Sequence, residues 1–216
     1  MKSFAIIGLG LFGEQLAKDL FKEGHNVLAI DKDEEIVERI ADSVSKAVVF
    51  DAKNRNALAH IGIDKYDCAV LCTSSDLAAS VIITMNLKAL NVPKIVCKVQ
   101  NETDQEVLEA LGASSCMVPE HIAAINFSKR LSTNNVLDFT QLSDEYGIME
   151  IKAPESWINK SILELNIRSQ YKLNIMAIRH EGKLIVDFPP TFVFSDSDEL
   201  IMIGNNNNLT KVQKLK

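Results

Sequence analysis

The chain is expected to fold as a doubly wound α/β unit followed by a small α+β domain. Three observations predict this. Short apolar runs alternate with helical patterns through the first two-thirds of the sequence, the runs have no polar face, and the first run leads directly into three closely spaced glycines. Strands without a wet face belong in a parallel sheet covered on both sides. Repeated strand–helix units with right-handed crossovers wind such a sheet in both directions. Gly8, Gly10 and Gly13, with the strand before them and the helical pattern after them, make the sheet Rossmann-like.

The elements follow in order. A strand over 3–7 meets the glycines, and a helix over 11–22 ends at Gly24. A strand over 26–30 delivers Asp31, and Asp33 ahead of Glu34 and Glu35 starts a helix over 33–41. A strand over 47–50, a helix over 55–61 closed by Gly62, a strand over 68–71 and a helix over 75–90 come next. A strand over 94–99 leads to a helix over 102–111, opened by Asn101 and closed by Gly112, and then to a strand over 115–118. Pro119 opens a further helix over 120–131, apolar at Ile122, Ala123, Ile125, Phe127 and Leu131.

The polar stretch 132–135 is the expected linker, which divides the chain into domains over 1–134 and 135–216. Beyond it the pattern changes. Strands are expected over 136–142, 146–151, 174–179, 183–186 and 199–203, with Glu181-Gly182 as a hairpin turn. Short helices are expected over 161–165 and 207–213, and the asparagine run 205–208 reads as a loop and helix cap. A domain of about 80 residues sits near the lower end of independent size. It calls for a partner surface, and self-pairing is the simplest one.

Composition narrows the function classes. Of the 216 residues 47% are hydrophobic and 24% charged, as in a soluble globular protein, and charges interrupt every apolar run before it reaches membrane-spanning length. The N-terminus enters a strand at once, so no signal peptide is expected. A net charge of −6 without a basic, aromatic-laced patch argues against a nucleic-acid partner. Cys68, Cys72, Cys97 and Cys116 form no CxxC pair and fall in or beside strands as small hydrophobes. Together with the scattered His25, His60, His121 and His180, they point to a reduced cytosolic protein without a zinc site.

The chemistry concentrates in the glycine motif. Side chains at Gly8 or Gly10 would hinder the turn or block a phosphate from backbone amides at the helix start, and Gly13 lets the helix pack on the sheet. Asp31 lies 21 residues beyond Gly10, where a second strand tip brings a carboxylate to a ribose hydroxyl. Lys32 stands beside it. Read blandly, the motif is a ligand-free turn and Asp31 a helix cap. Thr73, Ser74 and Ser75 follow the fourth strand and can face a nucleotide, although Ser75 can equally cap the next helix. Lys98 ends the fifth strand, either toward a phosphate or toward solvent. Glu120 follows Pro119, where the helix dipole favours any carboxylate.

With these elements in place, the chain resembles the RCK proteins that regulate bacterial potassium transporters, the Ktr and TrkA type. The resemblance rests on FAIIGLGLFG from Phe4 to Gly13, GHNVLAID from Gly24 to Asp31, NLKALNVP from Asn86 to Pro93 and VLEALGA from Val107 to Ala113. It continues through Pro119-Glu120, YKLNIMAI from Tyr171 to Ile178 and DELIMIG from Asp198 to Gly204.

The resemblance implies a cytosolic, non-enzymatic gating subunit at the inner face of the membrane. Its partner would be a separate potassium-translocating subunit. Homodimers would assemble into a ring, typically an octamer in the Ktr type. The implied ligand is ATP, ADP or NAD(H), with phosphates on the backbone from Gly8 through Leu11 and Phe12 to Gly13. Asp31 would accept from both ribose hydroxyls, and Asp51-Ala52 would border the adenine, although Asp51 serves equally as a turn acid. Glu120 would help to hold Mg²⁺ or Ca²⁺ near the phosphates. Cyclic di-AMP would bind between two copies of the small domain through Ile162, Ile167, Arg168, Asn174, Ile175 and Pro190.

One departure stands out. The family's loop often carries an arginine associated with the terminal phosphate, and here that position is Leu11, which favours ADP or NAD(H). Regulation of another channel or transporter by the same module stays open. An NAD-dependent oxidoreductase is the remoter alternative, because little chain follows Leu131 to supply a substrate pocket and His180 falls in an expected strand or turn.

Overall fold

The computed structural model describes residues 1–73, 76–131 and 135–215; of Lys129 and Arg130 only the backbone is described. The chain divides into two compact units, Met1–Glu120 and His121–Lys216.

The first unit runs β1 (Ser3–Ile7), α1 (Leu11–Lys22), β2 (Asn26–Asp31), α2 (Glu34–Ile40), β3 (Lys46–Val49) and α3 (Arg55–His60), then β4 (Cys68–Leu71), α4 (Leu77–Ala89), β5 (Ile95–Lys98), α5 (Glu102–Ala110) and β6 (Ser115–Met117). Its strands form one parallel sheet in the order β3-β2-β1-β4-β5-β6. The order reverses between β1 and β4, so the crevice for a ligand lies at the carboxyl ends of these two strands.

Alternation along each strand fills both faces. Ala5, Ile7, Leu28, Ile30 and Leu71 pack with Leu58, Ile83, Leu87 and Leu108 of α3, α4 and α5. Ile6, Val27, Ala29 and Val70 pack instead with Ala17 of α1 and with Val37 and Ile40 of α2. The expected doubly wound sheet is therefore present, with a dry core on each side.

Helix starts follow local chemistry. Asp33, Asn54 and Asn101 cap α2, α3 and α5 by accepting backbone N–H bonds. Helix α4 is capped by Asp76, whose carboxylate accepts from Ala79 N at 2.9 Å. That corrects the alternative role of Ser75 as the cap; Ser74 and Ser75 themselves lie outside the described residues. So do residues 132–134 of the expected linker.

Helix α6 (Pro119–Leu131) starts in the first unit and continues into the second. The second unit adds β7 (Val136–Gln141), β8 (Tyr146–Lys152), α7 (Ile162–Leu165), α8 (Ile167–Tyr171), β9 (Leu173–His180), β10 (Lys183–Ile185), β11 (Glu199–Asn205) and α9 (Asn206–Gln213). Its antiparallel sheet has the order β10-β9-β11-β8-β7. Trp157, Phe194, Ile151, Leu173, Leu200, Met202 and Leu209 fill its own core. Asn205 caps α9 through Asn207 N, as the asparagine run suggests.

Candidate functional site

The site begins where β1 stops. Gly8 turns the chain with φ +92°, a region that side chains rarely enter, and a Cβ there would lie 2.7 Å from Thr73 Cγ2. Gly13 sits tighter still, since its Cβ would fall 1.9 Å from the Gly8 carbonyl oxygen. Gly10 differs: a Cβ there would meet nothing within 4 Å. It holds the N-cap position of α1 with extended backbone, and no side chain caps the helix. The first-turn amides and the positive end of the helix dipole thus face open space.

Asp31 stands at the tip of β2. Its Oδ2 accepts Leu9 N at 2.6 Å and its Oδ1 accepts Asp33 N at 3.1 Å. The carboxylate is therefore fixed by the loop it faces. An ionised carboxylate has about four acceptor positions, so two remain for a ribose.

Two clefts meet at Gly10 and Cys72. One, of 260 Å³, is lined by Gly8, Gly10, Asp31, Lys32, Asp51, Ala52 and Thr73. The other, of 340 Å³, is lined by Gly10, Leu11, Phe12, Gly13, Lys98 and Glu120. The described candidates of the first unit therefore gather at the switch point, divided between the two clefts.

Sequence reasoning missed Phe50, Lys53, Asp76 and Ile83, which also line the first cleft. Phe50 and Ile83 give it apolar walls, and nothing in their spacing marks them apart from core residues. Lys53 has a readable signal, because it closes the turn with Asp51. Asp51 Oδ1 accepts Lys53 N at 3.0 Å, and the ammonium lies 3.3 Å from Oδ2. That backbone bond is the main reason the Asp51 carboxyl is held below its ordinary value. Asp51 thus serves the turn while standing at the rim.

In the second cleft Lys98 donates to Glu120 Oε1, and its Nζ stands 5.8 Å from the centre of the Phe12 ring. This bond is the main cause that holds the Glu120 carboxyl below its ordinary value. Leu11 is 96% exposed at the same mouth. Burial pushes the Cys72 thiol up to about 12, so it lines both clefts as an unreactive wall. Among the described residues no three metal-ligating side chains converge. Glu120, already paired with a lysine, does not make a metal site within one chain.

The six candidates of the second unit are less concentrated. Leu163 N donates to Pro190 O at 2.9 Å, which ties the start of α7, beside Ile162, to the Pro190 loop. Asn174 and Ile175 are consecutive on β9, opposite Ile203 and Met202 of β11. Arg168, Asn174 and Pro190 are exposed, and Ile162 and Ile175 are half-buried. Ile167 is 2% exposed and packs in the core. Its side chain is closed to a ligand in this conformation, which departs from the sequence expectation. Among the described residues no helix is long and apolar enough to cross a membrane.

Residues 4–119 match the TrkA-N domain model, and residues 148–216 match the TrkA-C domain model. The chain belongs to the TrkA-N/TrkA-C family. Within this family it is 35% identical over 212 residues to Ktr system potassium uptake protein A of Bacillus subtilis (strain 168), covering 98% of this chain and 96% of the relative. It is likewise 35% identical over 213 residues to Ktr system potassium uptake protein C of the same organism, covering 99% and 96%. Among solved structures, this TrkA-N/TrkA-C chain shares its fold with the GsuK channel bound to NAD, at a TM-score of 0.65 and 17% identity. That match covers 99% of this chain and 39% of the channel chain.

Proposed function

We propose that the chain is a regulatory subunit of a potassium-uptake system, which binds an adenine nucleotide in its first unit and gates a separate membrane translocator. One observation carries this reading. The uncapped start of α1 faces open space at Gly10, with Asp31 at the same crevice, in a chain that parallels Ktr uptake proteins over nearly its whole length.

In this reading the phosphates sit on the first-turn amides of α1, where partial positive charge already exists. The ribose hydroxyls donate to the free acceptor positions of Asp31. A 2′-phosphate is disfavoured there by charge. The base enters the apolar part of the first cleft, against Phe50, Ala52 and Ile83. Leu11 offers no charge to a γ-phosphate, so ADP and NAD(H) suit the loop as well as ATP does. Mg²⁺ or Ca²⁺ would join Glu120 only with the nucleotide's phosphate oxygens as further ligands.

Two copies would pair, and dimers would assemble into a ring, an octamer in the Ktr manner. The exposed Ile122, Phe127 and Leu131 of α6 support a second copy as the cover for that helix. The ring would lie at the cytoplasmic face of the membrane, held by the translocating subunit. Residues 1–134 would form the nucleotide domain and residues 135–216 the assembly domain, the latter with cyclic di-AMP as its own ligand. A nucleotide would gate by its difference in affinity for two ring arrangements, so regulation needs no chemistry on the ligand.

Calorimetry on the full chain tests the site. Asp31→Ala should weaken ADP and NADH binding by ~1–3 kcal/mol, because the ribose hydroxyls lose a half-buried acceptor. Unchanged affinity for both ligands would exclude the assigned ribose site. Restored potassium uptake in a cell that lacks its own regulator, lost again with Asp31→Ala, is the expected physiological counterpart.

A further inference from the structure

One acid of the second unit is wholly buried and belongs to neither candidate site. Asp198 stands immediately before β11. Its carboxylate accepts Ser195 N at 2.8 Å and Ser195 Oγ at 2.9 Å, and His180 Nδ1 lies 2.6 Å away. The two serine bonds close a turn inside segment 186–198, which joins β10 to β11. The histidine bond differs, because it ties that segment to the end of β9. From there the segment reaches the ligand candidates by two routes. Leu163 N donates to Pro190 O at 2.9 Å and Ile162 N to Phe192 O at 3.1 Å, which fixes it to the start of α7. The His180 ring also meets Phe192 edge-on at 5.5 Å, and ring contacts continue through Phe194 and Trp157 to Tyr171. Tyr171 closes α8, the helix that carries Arg168.

We propose that His180 is a positioning residue for the second unit's ligand site: bonded to Asp198 and packed on Phe192, it sets the Pro190 segment against β9, the strand of Asn174 and Ile175. This deepens the cyclic di-AMP reading and rests on it. His180 does not itself touch the ligand in this account. A ligand that contacts α7, α8, the Pro190 segment and β9 together needs those pieces in register. Fixing them before the ligand arrives lowers the ordering cost of binding. The buried carboxylate is the anchor, because it must keep its donors, and of its three donors only His180 can also carry charge.

That charge makes the hold depend on pH. The Asp198 bond is the main reason His180 keeps its proton above the ordinary 6.5; partial burial opposes it, and Glu181 adds to it. Lys183 stands opposite His180 across the β9–β10 pair, and Arg179, the residue before it, is engaged by Glu150 and Glu199. A value raised by folding means that the ion pair's contribution is complete below pH 6.5 and is lost as pH rises through the raised value. A ligand that needs the Pro190 segment held in place should follow the same direction, by linkage.

The test is cyclic di-AMP calorimetry on the full chain between about pH 6 and about pH 8, with His180→Ala and His180→Asn beside the parent. The parent should bind about two- to three-fold tighter at the acid end. His180→Ala loses the donor and the ring contact, and should weaken binding about five- to ten-fold. His180→Asn keeps a donor without the charge. It should recover part of that loss and bind with one affinity across the range. ADP affinity should show none of these changes. A pH profile that persists in His180→Asn would overturn the proposal, and so would a matching fall in ADP affinity, which would make the effect general instability. Unchanged binding in His180→Ala beside a clear loss in Arg168→Ala would overturn the positioning role and leave the ligand site standing. If His180→Ala fails to fold, the His180→Asn profile decides. If the parent binds no cyclic di-AMP, both readings fall.

Discussion

Three glycines in six residues have three different reasons to be glycine, and only geometry separates them. Gly8 is needed for its backbone conformation, and Gly13 for the 1.9 Å that separates a would-be Cβ from the Gly8 carbonyl oxygen. Gly10 is needed by neither, since its Cβ would stand in open space. That difference makes a prediction. Gly13→Ala should lower the melting temperature of the full chain, because the helix must shift off the strand. Gly10→Ala should leave it within a few degrees, as an alanine N-cap costs ~0.5–1 kcal/mol against glycine or less. Yet Gly10→Ala should weaken ADP binding about ten-fold, or ~1.4 kcal/mol, by filling the approach to the amides. A melting temperature that falls equally in both variants would show that the open space is a packing feature rather than a ligand position. The sequence made the motif and the Asp31 spacing legible, because both are set by the pitch of one strand–helix–strand unit. The Leu9 amide bonded to Asp31 was not legible, because it depends on how the loop closes.

Among the elements, most of the first unit was readable because apolar runs mark its strands, Asp33 and Asn101 cap two of its helices, and Gly24, Gly62 and Gly112 take positive φ just past helix ends. β1 over Ser3–Ile7 and α1 over Leu11–Lys22 fall where the apolar runs put them. Helix α8 was missed for a physical reason. It is bracketed by Asn166 at φ 42° and Lys172 at φ 57°, so lysine fills a left-handed position that sequence rules reserve for glycine or asparagine.

Helices α1 and α2 are also tied to each other by charge. Glu14 accepts from Arg39 and from Lys18, both at 2.7 Å, and those bonds, Arg39's first, pull its carboxyl down from 4.5 to about 2. A folded value below the unfolded one means that stability from this acid is fully present above pH 4.5. It is then lost as pH falls toward 2. Glu14→Gln should therefore destabilise the protein at pH 7, and its difference from the parent should shrink as unfolding is followed from pH 4.5 downward. A constant difference across that range would assign the loss to packing instead of charge. Arg39 is more than half exposed, so the effect should also weaken in high salt.

At the scale of the whole molecule, the two units keep separate cores. The clusters on the two faces of the parallel sheet draw only on residues up to Val118, and the cluster of the second unit draws only on residues from Val136 onward. The change from a parallel to an antiparallel sheet was legible in sequence because the period of the apolar pattern changes with the sheet type. Burial within the second unit was not legible in the same way, since a half-buried isoleucine such as Ile162 and a core isoleucine such as Ile167 look alike in one dimension. Ile167 shows the cost of that ambiguity: truncating it to alanine should cost roughly 2–5 kcal/mol of stability through a cavity, so it cannot report on ligand binding. Arg168 can, because it is exposed and its loss leaves the core intact. If the second unit takes cyclic di-AMP, the Arg168 guanidinium supplies charge-assisted bonds to a phosphate. Arg168→Ala in the full chain should then abolish most of the calorimetric signal for cyclic di-AMP. With separate cores, ADP affinity should stay unchanged in the same variant, apart from any coupling through assembly, which must be reciprocal between the two ligands. Cyclic di-AMP binding that survives Arg168→Ala intact would remove this residue from the site. A parallel loss of ADP binding would mean that the two units share more than a chain.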